Sequence, residues 1–304
     1  MRPRGVVFAI LAACAAATAA AEPAAGPVID ISDVDLFYKV YDAADGHPTA
    51  DQFQHDYLDK GSEGLHALAQ ARNVTGARIA DMLAKRPEMY IDARRCVTVL
   101  PHVKERLQIA LHRLGELYPE ARFPPVTIAI GRGKPVGIGS PATGVEIGLE
   151  ALCSINYLNA SVEDRFVHVV THEYVHVQQV QALVDDDAHW TVLEGSVIEG
   201  AAEFLTELVS GAGYSVYVAE MKGHEKDIET RFVPDEDKTD LSQWLNNGTA
   251  DNPADLGYGV GYRICKSYYE HAADKRQAVR DIIRMTDPHA FLAKSGWYPG
   301  IVLQ

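Results

Sequence analysis

The chain has little of several features that mark common protein classes. Its 28 Lys and Arg residues are outnumbered by 42 Asp and Glu residues, which gives a formal charge of −14. Nucleic-acid-binding proteins and proteins that bind anionic lipid surfaces carry basic patches, so this balance argues against both kinds of partner. Cysteine is scarce, with 4 residues and no C-x-x-C spacing, which argues against a cysteine-ligated zinc site.

A membrane-spanning run is also missing, and the amino terminus is typical of an export signal. A basic start precedes an apolar, alanine-rich run that ends in Ala-Ala-Ala just before Glu22. The run is too short to cross a bilayer, and its small-residue end is typical of signal cleavage. We therefore expect residues 1–21 to be removed and residues 22–304 to be exported, to the periplasm or beyond. A second interpretation is a bacterial lipoprotein box, in which Cys14 carries a lipid anchor in the cell envelope.

The cysteines beyond the predicted signal limit the disulfide bonding. They are Cys96, Cys153 and Cys265. An odd number in an exported protein permits at most one internal disulfide, and the sequence does not identify the pair.

Hydrophobic periodicity predicts a mainly helical chain. Residues 33–117 are mostly helical in pattern, most clearly at 101–117. β-Branched and alternating residues predict strands at 126–130 and 145–149, separated by a loop rich in glycine and proline. Further helices are expected at 162–183, 191–209, 214–228, 257–273 and 275–285. No linker divides the chain, so we predict a single α+β domain, mainly helical, with a small sheet.

The most informative segment lies in the helix predicted at 162–183. His172 and His176 are one helical turn apart, so both imidazoles project from one side and can bind a single zinc ion. Glu173 lies beside the first histidine, where it can reach a zinc-activated water as general base without being a ligand. The H-E-x-x-H spacing alone leaves open a solvated helix face that carries these residues without a metal.

The next predicted helix supplies carboxylates. Glu199 lies 23 residues after His176, which leaves room for an antiparallel return, and it is the candidate third ligand. Glu203 lies one turn further on the same face, where it can accept a hydrogen bond from the outer nitrogen of a zinc-bound imidazole. Gly200 and Ala201 are expected to let the two helices approach closely.

These residues resemble the gluzincin metallopeptidases. H-E-x-x-H followed by a glutamate-bearing helix is similar to thermolysin, and residues 199–204 resemble the E-G-x-A-x-[FY] helix of gluzincin aminopeptidases. The resemblance implies one Zn²⁺ ion per chain, with Glu199 as the third ligand beside the two histidines and Glu203 as its supporting carboxylate.

A longer resemblance, over nearly all of the mature chain, is to a family of bacterial predicted zinc-dependent proteases that includes gliding-motility lipoproteins. The resemblance rests on less specific sequence matches at residues 57–62, 118–124, 147–150 and 257–262. The family often has Gly-Gly-Thr before the second strand, where this chain reads Gly137-Ile138-Gly139-Ser140. The resemblance implies a minimal gluzincin fold.

We therefore predict a zinc peptidase that acts on a peptide or protein substrate. Tyr262 is the candidate donor to the oxyanion, with Tyr258 one turn before it, and the alternative for each is a packed helix tyrosine. His168 is expected not to be a ligand, because a fourth protein ligand would close the metal site. The strand at 145–149 is expected to pair with an extended peptide as an edge strand.

Three other functions stay open at this point. One is a zinc hydrolase that acts on an ester or a cell-wall peptide cross-link with the same residues. The second is a cell-envelope assembly protein, weakly catalytic or not catalytic, that retains a metal site. The third is a binding module without a metal.

Overall fold

The computed structural model describes residues 28–155, 160–211, 216–248 and 255–304. It confirms the predicted fold class, a mainly helical α+β domain with one small sheet. The predicted export signal and Cys14 lie outside the described residues, so both interpretations of that segment stay predictions. Among the described residues, no helix is both long enough and apolar enough to cross a membrane.

Helices occupy most of the described chain, and we number them in chain order. They are α1 (Ser32–Ala43), α2 (Ala50–Gln52), α3 (Glu63–Arg72), α4 (Gly76–Lys85), α5 (Pro87–Cys96), α6 (Leu100–Leu117), α7 (Leu149–Ser154), α8 (Val162–Gln178), α9 (Gln181–Val184), α10 (Val192–Ser210), α11 (Val216–Met221), α12 (Glu225–Phe232), α13 (Leu256–His271), α14 (Lys275–Ile283) and α15 (Pro288–Lys294). Ser161 caps α8 by accepting a hydrogen bond from the Asp164 amide, and Thr191 caps α10 in a reciprocal box with Glu194. The start of each helix that contains metal-ligand candidates is therefore set by its own capping residue.

The sheet has four strands in the order β1-β2-β4-β3. They are β1 (Ile29–Asp30), β2 (Val126–Ala129), β3 (Gly137–Ser140) and β4 (Gly144–Gly148). β2 pairs in parallel with β1 and β4, whereas β3 pairs antiparallel with β4. β4 is thus paired on both sides, so the prediction that the 145–149 strand is a free edge is wrong. The edge strand beyond β4 is β3, and the other edge strand is β1. The sequence predicts a loop at β3 because glycine is depleted in strands.

The glycines of β3 explain why the strand lies directly on α8. A Cβ added to Gly137 would lie 2.7 Å from Oε1 of Glu173, and one added to Gly139 would lie 2.1 Å from the main-chain oxygen of the same residue. Any larger side chain at either position would meet the helix. Glycine at alternate positions therefore lets an edge strand run across Glu173.

α10 packs against α8 and, most extensively, against α13. A Cβ on Gly200 would lie 2.1 Å from the carbonyl carbon of Gly261, and one on Gly261 would lie 1.6 Å from the Ser196 oxygen. The close approach that Gly200 permits is therefore to α13. The prediction that it serves the contact between α8 and α10 is wrong.

One disulfide joins the amino-terminal helices to the segment after the sheet. It links Cys96, at the end of α5, to Cys153 in α7, whereas Cys265 is a free, buried thiol in α13. One internal disulfide agrees with the limit set by the odd cysteine count.

Buried side chains fix the loop between β2 and β3. The Tyr57 hydroxyl donates to the Ile130 oxygen and accepts from the Ile130 amide, at 2.8 and 2.9 Å. The fully buried carboxylate of Glu150 accepts the amides of Gly131 and Gly133, at 2.9 and 2.8 Å. These contacts satisfy backbone groups that a buried loop would otherwise leave unpaired, so the approach to β3 is held in one position.

Gly139→Ala is expected to destabilise the protein by about 1–3 kcal/mol, because its Cβ would overlap the main chain of α8. Gly115→Ala is the matched control, since the nearest atom to a Cβ in that part of α6 is 3.8 Å away and alanine favours a helix. Thermal denaturation of both variants checks this. Equal melting temperatures would contradict the packing described for β3.

Candidate metal centre

The metal-ligand candidates lie on two buried helices. His172, Glu173 and His176 are 6–9% exposed in α8, and the Glu199 side chain on α10 is 14% exposed. Ionisable groups are costly to bury unless they are paired or bind a metal. Their position therefore requires partners, and the two helices supply them to each other.

Three donor atoms meet at one point. Nε2 of His172 and Nε2 of His176 are 3.0 Å apart, and each lies 3.2 Å from Oε2 of Glu199. A tetrahedral zinc ion with bonds of about 2.0–2.1 Å holds its ligand atoms roughly 3.3 Å apart. The three side chains thus fit one zinc ion, and three protein donors leave a fourth position for water or substrate.

The outer nitrogen of each imidazole faces an oxygen acceptor. Nδ1 of His176 lies 2.7 Å from Oε1 of Gln179, whose amide nitrogen donates to the Ile198 oxygen at 2.9 Å. Nδ1 of His172 lies 2.9 Å from Oε1 of Glu203, although this contact is not aligned as a full hydrogen bond. Such partners favour a proton on Nδ1 and leave Nε2 free to bind a metal.

His168 extends the same arrangement. Its Nε2 lies 3.2 Å from Oε1 of Glu203, so His168, His172 and Glu203 form a second group of donors close enough to hold an ion. Ions in both groups at once would require both ring nitrogens of His172 to bind a metal, which removes both of its protons. We therefore interpret this geometry as one metal position, with His168 supporting Glu203.

Burial and charge act in opposite directions in this cluster. Burial lowers the pKa of His172, but Glu199 and Glu203 outweigh that effect and raise it well above its ordinary value. Burial favours the neutral acid of Glu199, but the two imidazoles hold the pKa of that carboxyl far below its usual range. Without a metal, the cluster is therefore a set of paired charges, and protons compete with a metal for the histidines.

Glu173 differs from the other carboxylates because burial dominates its titration. Burial raises the pKa of Glu173, whereas the positive charges of His172 and His176 oppose the rise without cancelling it. Neither of the two metal-ligand groups includes it. A buried carboxylate beside the metal position, with a raised pKa, is suited to accept a proton and release it again.

The two candidate tyrosines of α13 lie in different places. The Tyr262 hydroxyl donates to Oε2 of Glu207 at 2.6 Å, and among the described residues Tyr262 is not part of the cavity wall. Tyr258 does line the cavity, and its ring is stacked on His172 at 6.3 Å between centroids. The geometry therefore favours Tyr258 over Tyr262 as the tyrosine that faces a substrate.

A cavity of about 720 Å³ opens beside the donor atoms. Its wall includes β3, the site residues of α8 and α10, Tyr217 from α11 and Arg72 from the end of α3. Sequence reasoning missed β3, Gln179 and Arg72. Gln179 directly follows the helix three residues after His176, a position that predicts contact with that ring, whereas Arg72 has no sequence signal that links it to the site.

One protein family model matches the part of the chain that contains the candidate metal ligands. Residues 148–286 match a family model described as "Predicted Zn-dependent protease (DUF2268)". The match includes α8, α10 and α13, and hence every candidate ligand, and it supports a zinc-dependent protease in this coarse sense. No curated protein and no solved structure matches the chain.

Zinc affinity is expected to rise with pH. Burial lowers the pKa of His176 as it does that of His172, but facing carboxylates raise both, so protons compete with zinc for the rings at a higher pH than they would for an exposed histidine. Below the raised pKa values, two competing protons weaken zinc binding by up to about 100-fold per pH unit. Competition with a chromophoric chelator of known proton affinity, at about pH 6, 7 and 8, measures this. A zinc affinity that does not change over this range would contradict the two-histidine site.

Proposed function

We propose that the chain is a zinc-dependent peptidase in which His172, His176 and Glu199 hold the ion. One observation carries the proposal: three donor atoms 3.0–3.2 Å apart lie at the wall of an open cavity. A structural zinc site is closed by a fourth protein ligand, whereas a catalytic site keeps that position open. The match to predicted zinc-dependent proteases supports the same reaction class.

Glu173 is the general base in this proposal. Bound zinc would supply Lewis acidity, which makes water more acidic and polarises the scissile carbonyl. Glu173 takes the proton of the attacking water and delivers it to the leaving amine. Its raised pKa suits both steps, because a more basic carboxylate accepts the proton more readily and the resulting acid can still release it.

β3 is the proposed binding edge for an extended peptide. It pairs with β4 on one side, and residues 137–140 line the cavity with no further strand among the described residues on the other. Main-chain groups of an edge strand can bind a peptide by strand addition. Because Gly137 and Gly139 allow β3 to lie against Glu173, a bound peptide would pass close to the base.

Tyr258 is the proposed hydrogen-bond donor to the oxyanion. Burial, reinforced by the negative charge of Glu199, raises the pKa of Tyr258 well above its ordinary value. The hydroxyl therefore keeps its proton at neutral pH and can donate it to a developing negative charge. We assign this role to Tyr258 because Tyr262 is bonded to Glu207 instead.

The rival function is an assembly protein of the cell envelope with a metal site that does little or no catalysis. Such a protein needs neither a buried base beside the metal nor an open cavity, and both support the peptidase instead. We also propose that the protein acts outside the cytoplasm, because its amino terminus is typical of an export signal.

Glu173→Gln is expected to keep the metal and lose hydrolysis. The amide preserves the size of the side chain but cannot accept the proton, so turnover should fall by about 100-fold or more. Elemental analysis should give one zinc ion per chain for wild type and variant, and mass spectrometry of a mixed peptide library measures hydrolysis. Glu116→Gln, an exposed change on α6, is the matched control and should behave as wild type.

Two outcomes would contradict the proposal. A purified wild-type chain that binds no zinc would end the catalytic assignment. Zinc binding with equal hydrolysis by wild type and Glu173→Gln would remove Glu173 as the base.

A further inference from the structure

The wall of the cavity is acidic, with one exception. Its carboxylates are those of Glu173, Asp185, Asp187, Glu199, Glu203 and Asp255. Arg72 is the one Arg or Lys side chain among the described residues that line it. Apart from the proposed metal position, Arg72 is therefore the point of this wall at which a peptide carboxylate would be attracted.

The backbone of Arg72 is held firmly. Arg72 is the last residue of α3, and Asn73 ends the helix in the left-handed conformation at φ 51°. The guanidinium of Arg132 donates twice to the main-chain oxygen of Arg72, from Nε at 3.0 Å and from Nη2 at 2.9 Å. Arg132 belongs to the loop that Glu150 fixes through its flanking glycines. The side chain of Arg72 thus projects from a defined point of the cavity wall.

The guanidinium of Arg72 is not used within the described part of the chain. It has no carboxylate at ion-pair distance there, and the side chain is exposed. Several other arginines form ion pairs: Arg94 with Asp42, Arg106 with Glu163 and Asp164, and Arg263 with Glu229. A planar guanidinium binds a carboxylate through two parallel hydrogen bonds, so this cavity contains a group ready for such a ligand.

Arg72 shares the cavity with the proposed base. Arg72, β3 and Glu173 all line its wall. A carboxylate bound at Arg72 therefore lies in the space that the proposed substrate occupies.

We propose that Arg72 is a specificity-determining residue that binds a carboxylate of the peptide substrate. The inference rests on the peptidase function proposed above and names its substrate class: peptides with a negative charge close to the scissile bond. That carboxylate can be a free carboxyl terminus or an Asp or Glu side chain. The two sources share one chemistry, and the experiment separates them.

The test uses three libraries of N-acetylated hexapeptides with otherwise uncharged, randomised positions. The first has a free carboxyl terminus, the second an amidated terminus, and the third an amidated terminus with one Glu. Wild type is expected to cleave the first or the third with a kcat/KM about 10- to 100-fold above that for the second, which is the usual effect of a hydrogen-bonded charge. The preferred library identifies the source of the carboxylate.

Arg72→Gln should abolish this preference and leave kcat/KM for the amidated, uncharged library within about threefold of wild type. Arg72→Lys keeps the charge without the planar fork and should retain part of the preference. Arg276→Gln, an exposed change on α14, is the matched control and should retain all of it. A wild type that treats the three libraries alike, or a preference that survives Arg72→Gln, would overturn the inference.

Binding separates this inference from the peptidase proposal. The same libraries are titrated by calorimetry into zinc-loaded wild type and into zinc-loaded Arg72→Gln. If carboxylate peptides bind wild type more tightly and this difference is lost in Arg72→Gln, the role of Arg72 is upheld even when no peptide is cleaved. The absence of cleavage would then count only against the proposed peptidase activity. Equal binding of all three libraries by wild type would end the role of Arg72, whatever the hydrolysis shows.

Discussion

The convergence of two imidazole nitrogens from α8 and one carboxylate oxygen from α10 is the constraint on which the rest of the structure depends. All three groups are largely buried between apolar helices, where an isolated charge would be strongly unfavourable. They are tolerated because each faces the others at 3.0–3.2 Å. Glu203 and Gln179 extend the cluster outward by facing the remaining ring nitrogens. Removing one member would leave its partner as a buried charge without a counter-charge, which is strongly unfavourable.

Close backbone contacts hold this cluster in place. Gly200 and Gly261 let α10 lie directly against α13, which fixes the helix that carries Glu199. Gly137 and Gly139 do the same for β3 and α8 on the other side of the site. The sheet therefore serves mainly to present β3, while the helices position the donors. A small sheet is sufficient in this mainly helical domain, because only β3 has to reach the site.

Much of the site could be predicted from the sequence because helical periodicity fixes which side chains share a face. The spacing of His172 and His176 requires the two rings to point the same way, and the structure brings them together with Glu199. Long-range packing is not encoded in that way. Gly200 contacts α13, and two of the four residues of β3 are glycines, which strands usually avoid. Both results depend on neighbours distant in sequence.

The tyrosines and Arg72 illustrate the same limit. Tyr258 and Tyr262 are one turn apart on α13, so periodicity cannot decide which of them meets the cavity. Glu207 on α10 decides it by binding the Tyr262 hydroxyl. Arg72 reaches the cavity wall from the amino-terminal helices because the loop that contains Arg132 holds its backbone there. Neither contact leaves a local pattern in the sequence.

X-ray absorption spectroscopy at the zinc edge reports directly whether His172, His176 and Glu199 bind one ion. For the protein loaded with one equivalent of zinc, we expect about four nitrogen and oxygen ligands at roughly 2.0–2.2 Å, two of them with the multiple-scattering pattern of imidazole. Replacing Glu199 with alanine should leave both imidazoles and change the oxygen shell. A sulfur ligand, or a wild-type spectrum with no imidazole or only one, would contradict the account.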